Sequence, residues 1–332
     1  MLNMSLFSSQ IAAPMVLFLR HKKALGRQCT ATYYTLRSLD RFLHQTDALD
    51  LDAAAFLKWS EGQKHVASGV RRRSMMVIRA FSLYRRRSEP DCYVPEASLF
   101  PPEHTPCRPY VFSEAEIAQL LQQIQLLKRF SHCPLRSEAA RLALVLLYSA
   151  GLRLGELLRL EVQDYDPTEQ TLHVRASKFH KSRRLPLSSD AAFEMGTYLA
   201  ARQRLGRPGD MARMLLWNGS EQATGYSKGR LRSTMWELLD GAGIRNSDGR
   251  RPTIHCLRHT FAVHALLRWY RSGVELQSRL PHLATYMGHV SIVSTERYLH
   301  FVEQLASAAS GRFQARSAKV LGMQAEPEER QL

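Results

Sequence analysis

TLHVRASKFHKSRRLPLS, residues 171–188, is where the apolar residues of an otherwise helix-patterned chain switch to a two-residue period. Leu172, Val174 and Ala176 alternate with polar side chains, and after a basic middle the alternation resumes at Leu185 and Leu187. Successive side chains of a strand point to opposite faces, so the pattern predicts a small β-hairpin with Lys178 at its bend. On either side, apolar residues recur every three or four positions, the period of helices packed against a core. The expected class is therefore mainly α: an N-terminal helical domain and a mixed, mostly helical C-terminal domain with a small β-hairpin or sheet.

Upstream of the hairpin, FSEAEIAQLL (112–121) opens a helix, because Ser113 followed by Glu116 is a capping-box pattern before an apolar periodic run. Before it, SEPDCYVPEASLFPPEHTPCRP (88–109) carries six prolines and no helical period, which predicts an extended linker over residues 88–112. Residues 10–87 read as helices. ATYYTLRSLDRFL (31–43) places Tyr33, Leu36, Leu39 and Leu43 on one face, and Asp52 is a plausible N-cap for DAAAFLKWSEG (52–62). SGVRRRSMMVIRAFSLYRRR (68–87) turns Val70, Val77, Ile78 and Phe81 toward a core. The expected division is 1–87, 88–112 and 113–332, with no repeat of solenoid length.

The chain has 332 residues, enough for two domains with ample cores. Its 46 Lys and Arg outweigh 30 Asp and Glu, a formal charge of +16. Residues 1–110 hold 16 basic and 9 acidic residues, leaving 30 and 21 for the remainder, so both halves are basic. That distribution excludes a neutral globular enzyme with a basic tail and suits a polyanion wrapped by both domains, nucleic acid first. The arginine triplets Arg71, Arg72, Arg73 and Arg85, Arg86, Arg87 bracket one helix. Singly each is a solvated face; together they point to phosphate contacts. Five cysteines, never spaced CxxC, argue against a disulfide framework and a structural zinc site. IAAPMVLFLR (11–20) is followed, not preceded, by positive charge, the wrong order for a secretion signal. The apolar run LALVLLYSAGL (142–152) is too short to span a bilayer. A cytoplasmic protein without a membrane segment is expected.

Four places carry candidate chemistry. GLRLGEL (151–157) holds Arg153 between two glycines after an apolar helix ending at Ala150; alone, it is an ordinary helix-terminal surface arginine. Lys178 is one of several loop cations. HCLRHTFAVHALL (255–267) sets His255 and Arg258 three apart, on one side of a helical turn, where they would serve chemistry or cap a neighbouring helix. HVSIVSTERYLHF (289–301) carries His289 and, nine residues later, Tyr298. Read as a helix, its apolar stripe is Ile292, Thr295, Leu299 and Val302, and Tyr298 lies roughly 70° off the stripe's centre. That position fits a reactive tyrosine and equally a half-buried one with a wet hydroxyl. The 13 histidines come with neither HExxH nor a carboxylate cluster, so no metal site is expected. Phosphoryl transfer accounts for the set without one. Arginines neutralise the non-bridging oxygens, histidines donate to them, a lysine protonates a leaving alkoxide and a tyrosine attacks.

In their order, GLRLGEL, SKFHKSRRLPL (177–187), HCLRHTFA and MGHVSIVSTERYLH (287–300) resemble the boxes of the tyrosine recombinase (integrase) family. The resemblance is strong over residues 113 to about 305 and rests on architecture alone over 10–87. It implies that Tyr298 attacks a DNA phosphate and forms a 3′-phosphotyrosyl link. Lys178 would protonate the leaving 5′ oxygen, and Arg153 and Arg258 would clamp the phosphate with His255 and His289 assisting. Glu156 and Lys181 would serve structure and DNA contact. It implies no cofactor and no ATP, an N-terminal DNA-clamping domain, double-stranded DNA recombination sites as partners, a homotetramer on paired sites, and accessory proteins. Two departures stand out: the Arg258–His289 stretch is longer than the family pattern, and YMGH stands where LLGH is usual. The stretch RLPHLATYMGHVSIVSTERYLHF (279–301) resembles recombinases carried by transposons or similar mobile elements. Apolar residues of the tail, Phe313, Val320 and Leu321, would dock on a neighbouring protomer or pack within their own chain. Two other readings compete: a type IB topoisomerase that relaxes DNA with a similar residue set, and a non-catalytic DNA-binding accessory protein. The HxxR box with its second Gly-His favours the first over the former, and the completeness of the boxes over the latter.

Overall fold

The computed structural model describes residues 7–27, 29–102, 109–128, 130–175, 182–205, 213–217, 219, 225–289, 291–296, 298, 299 and 301. The chain forms two compact units, divided after residue 108. Among the described residues helices dominate and strand is confined to one small sheet, as the periodicities require.

The first unit holds α1 (Ala12–Ala24), α2 (Thr30–Gln45), α3 (Ala53–Glu61) and α4 (Ser68–Arg85). Leu36, Leu39 and Leu43 of α2 are buried with Met15, Leu19, Phe56, Trp59, Ile78 and Phe81, while Tyr33 packs at the edge of this core. Asp52 caps α3 as its position predicts: its Oδ1 accepts the Ala55 N–H at 2.7 Å. Val70 departs from expectation. It sits in the first turn of α4, ahead of the helix's buried stripe, and is 46% exposed.

Two readings of this region are corrected. Residues 88–102 are not an extended spacer but fold onto the first unit. Phe100 is buried against the Phe56 ring, 6.2 Å between centroids, and Cys92 is buried too. Proline-rich backbone lacks N–H donors but keeps its carbonyls, and arginines of α4 satisfy them: Arg79 donates to Pro95 O and Arg72 to Pro101 O. Nor is Arg85 a phosphate contact. Its side chain is buried, bidentate to Asp50 at 2.6 and 3.0 Å, and also bonded to Glu89. Arg72 is half-buried on its carbonyl, Arg71 is half-buried, and Arg73, Arg86 and Arg87 remain at the surface.

The second unit contains α5 (Glu114–Gln125), α6 (Arg136–Ser149), α7 (Leu154–Leu157), β1 (Tyr165–Asp166), β2 (Thr171–Val174), β3 (Arg183–Pro186), α8 (Ser189–Arg204), α9 (Lys228–Gly241), α10 (Ile254–Arg271), α11 (Leu276–Met287) and α12 (Val293–Glu296). The capping box at Ser113 forms: its hydroxyl accepts the Glu116 N–H while Glu116 accepts the Ser113 N–H at 2.7 Å. α6 is apolar nearly all round, with Ala139, Leu142, Ala143, Leu144, Leu146 and Leu147 buried, and α5, α8, α9 and α10 pack about it. The predicted hairpin is β2–β3, antiparallel, with Leu172 opposite Leu185, and the short β1 adds a third strand in the order β1-β2-β3. Its bend, including Ala176, Lys178 and Lys181, lies outside the described residues. The Arg258–His289 stretch is accommodated as the long α10, a turn and α11. No helix among the described residues is long and apolar enough to cross a membrane.

Candidate active site

The site begins where α6 stops. Gly151 has φ +57°, a left-handed conformation that a side chain disfavours, and a Cβ there would come within 2.4 Å of the Phe261 ring of α10. This turn brings Arg153 to the head of α7, where its guanidinium donates to Glu156 Oε1 at 2.7 Å and to Gly288 O at 2.8 Å. Glu156 is 2% exposed and accepts from a second arginine, Arg183 of β3, at 2.9 and 3.2 Å. Burial alone would raise its pKa, but the arginine hydrogen bonds and charges win and hold it down to about 2. Arg183 also donates to Tyr286 O, so the hairpin is tied to the end of α11.

Arg258 is the third arginine, 1% exposed on α10, with its NH1 3.9 Å from Glu156. It donates to Gly151 O at 2.5 Å, just past the C-cap of α6, and to Met287 O at 2.7 Å, the last residue of α11. A cation at two helix C-termini is favourably placed. Burial, together with the positive Arg153, lowers its pKa to about 9, which leaves it charged at neutral pH. Gly288, at φ +67°, ends α11 and lets Arg183 pass: a Cβ would lie 2.7 Å from its NH1.

The same turn of α10 carries two histidines. His255 is exposed, and the ring of His259 meets it edge-on at 4.4 Å. The Nδ1 of His259 lies 2.6 Å from the hydroxyl of Tyr298. His289 pairs through Nδ1 with Thr295 Oγ1 at 2.7 Å, and its ring lies nearly parallel to that of Tyr298, 6.5 Å away. Tyr298 is 1% exposed among Val263, Leu266, Leu283 and Met287. That corrects the half-buried placement, because the segment is not one regular helix. α12 ends at Glu296, Ile292 is 42% exposed, and Thr295 and Tyr298 turn inward together.

Arg153, His255, Arg258, His289 and Tyr298 thus gather around the ends of α6, α10 and α11, although 145 residues separate the first from the last. Lys178 and Lys181 lie outside the described residues. The sequence does not single out Arg183 or His259, and it assigns Glu156 to structure and DNA contact, not to chemistry. His259 stood four residues after His255, hence on the same helical face. Beside His255 an open groove of about 900 Å³ is lined by Lys228, Arg232, Arg245, Arg250 and Arg251. Trp236 also lines it, with the guanidinium groups of Arg232 and Arg251 at 5.1 and 5.5 Å from its ring. No group of three or more His, Cys, Asp or Glu is placed to hold a metal ion among the described residues.

Comparison with known proteins gives the family. The phage integrase family matches residues 111–304, more than half of the chain. The chain is 28% identical over 301 residues to the putative integrase/recombinase y4rB of Sinorhizobium fredii, covering 90% of this chain and 95% of that protein. It is 30% identical over 305 residues to y4rE of the same organism, covering 89% and 93%. Among solved structures, the XerH site-specific recombinase bound to its palindromic difH substrate shares the fold with a TM-score of 0.64 at 15% identity, over 86% of this chain and 79% of that one. The chain belongs to the phage integrase family, the tyrosine-type recombinases.

Proposed function

We propose that the protein is a site-specific DNA recombinase that integrates or excises a mobile element in the cytoplasm, cutting and rejoining DNA through a 3′-phosphotyrosyl intermediate. The observation that carries this reading is one cluster: two arginines, fixed by a buried carboxylate and two helix ends, beside a tyrosine whose hydroxyl is already hydrogen-bonded to a histidine. Arg153 and Arg258 clamp the non-bridging oxygens of the scissile phosphate, with His255 and His289 as further donors. The Tyr298 oxygen attacks phosphorus, the P–O5′ bond breaks, and Lys178 supplies the proton for the leaving oxygen. Attack by a 5′-hydroxyl from a partner strand reverses the step. Bond energy stays in the phosphotyrosine, and arginine side chains supply the positive charge, so the reaction needs no nucleotide and no metal. The basic groove beside His255, together with Arg73, Arg86 and Arg87 of the first unit, follows the DNA backbone. Two duplex sites and a homotetramer complete the assembly, with accessory proteins as further partners.

The test is a nicked suicide substrate bearing the element's end sequence, resolved on a denaturing gel. Wild type is expected to form a covalent protein–DNA band that Tyr298→Phe does not, with equal DNA binding. Tight binding without a band from either protein would favour the accessory-protein reading. Relaxation of supercoils without exchange between two sites would favour the topoisomerase.

A further inference from the structure

We propose that His259 is the general base of the cleavage step, accepting the phenolic proton of Tyr298 as its oxygen attacks phosphorus. The inference rests on the recombinase reading and adds a residue to it. Attack by a tyrosine hydroxyl on phosphorus releases the phenolic proton, so a group must be at hand to accept it. Tyr298 is 1% exposed, and bulk water is not at hand to take it. His259 Nδ1 stands 2.6 Å away, within the reach a base requires before any rearrangement. The role needs the neutral tautomer that carries its proton on Nε2 and leaves Nδ1 as acceptor. His259 follows Arg258 directly in α10, so the base and the phosphate-clamping arginine ride on one rigid helix. His289 meets Thr295 through Nδ1 with its ring 6.5 Å from that of Tyr298, and His255 lines the open groove. The other titratable or charged groups of the site are His255, Arg258, Arg153, Arg183, His289 and Glu156.

The step balances. As the P–Oη bond of Tyr298 forms and the P–O5′ bond breaks, the phenolic proton passes to His259 and the leaving oxygen takes one from Lys178. On rejoining, the imidazolium returns its proton to Oη while Lys178 accepts that of the attacking 5′-hydroxyl.

His259→Asn separates a base from a mere anchor. Its carboxamide oxygen stands near the place of Nδ1 and accepts the tyrosine hydrogen bond, but it does not take up a proton at neutral pH. In single-turnover cleavage of the suicide substrate, the variant should be about 10²- to 10⁴-fold slower than wild type with unchanged DNA affinity. Wild type should also slow on the acid side between about pH 5 and 8, a limb that the variant lacks. A His259→Asn rate within about threefold of wild type would overturn the assignment, as would faster cleavage, which would make His259 a restraint on the tyrosine. Should that variant not fold, by circular dichroism, the wild-type profile decides: no acid limb means no histidine base. If neither wild type nor any variant forms an adduct, the recombinase reading itself has failed. A Tyr298-dependent adduct formed at full rate by His259→Asn sinks only the base.

Discussion

Glu156→Gln tests what holds the arginine cluster together. The carboxylate is 2% exposed and accepts charged hydrogen bonds from Arg153 and Arg183, with Arg258 at 3.9 Å. The amide keeps the shape and one acceptor oxygen but removes the negative charge, leaving the half-buried Arg153 and Arg183 and the buried Arg258 without their counterion. Breaking a buried pair in this way costs about 3–5 kcal/mol. A second route gives a similar figure. The Glu156 pKa falls from 4.5 to about 2, and at 1.36 kcal/mol per pH unit that difference is about 3 kcal/mol of stability at neutral pH. The sign follows from the depressed value: the contribution is complete above pH 4.5 and is lost as the pH falls toward 2. Urea unfolding of both proteins, followed by circular dichroism at steps from pH 7 to pH 2.5, should show a gap of about 3 kcal/mol that narrows below about pH 4.5. A variant within about 1 kcal/mol of wild type at pH 7, or a gap indifferent to pH, would refute the view that one carboxylate organises the site.

Gly151→Ala should cost about 2–5 kcal/mol, combining a left-handed residue with a Cβ 2.4 Å from the Phe261 ring. A thermal melt reads the loss, and an unchanged midpoint would mean that the turn tolerates a side chain. Arg85→Ala should destabilise the first unit by about 1–3 kcal/mol yet leave the slope of log K against log salt for DNA binding where it was. Arg73→Ala should do the reverse, lowering that slope by about one with little loss of stability; a slope change for Arg85 would restore it as a phosphate contact.

What the sequence made legible is what local chemistry decides. A two-residue period located β2 and β3, an Asp and a Ser with the right followers located two helix starts, and the glycines of GLRLGEL marked the turn that presents Arg153. The missed features join residues far apart in the chain. Glu156 meets Arg183 across 27 positions and His259 meets Tyr298 across 39, and no periodicity encodes such pairs. Residues 88–102 were misread for a related reason. Proline content removes helix and sheet from the choices but says nothing about which arginines will receive the carbonyls. Arg85 looked like its neighbours in a basic run, and only the approach of Asp50 distinguishes it.

The cluster around Glu156 has an arithmetic that bears on rate as well as stability. Three guanidinium groups, Arg153, Arg183 and Arg258, surround a single carboxylate, which leaves an excess of two positive charges at the heart of the unit. A phosphodiester entering on the proposed path carries one negative charge, and the pentavalent species formed on tyrosine attack carries a second. On that path the negative charge facing the arginines grows as the reaction proceeds, while the phenolic proton is carried off on His259. On the proposed path the cluster's field would favour the transition state over the bound substrate, with groups that Gly151, Met287 and Gly288 have already oriented.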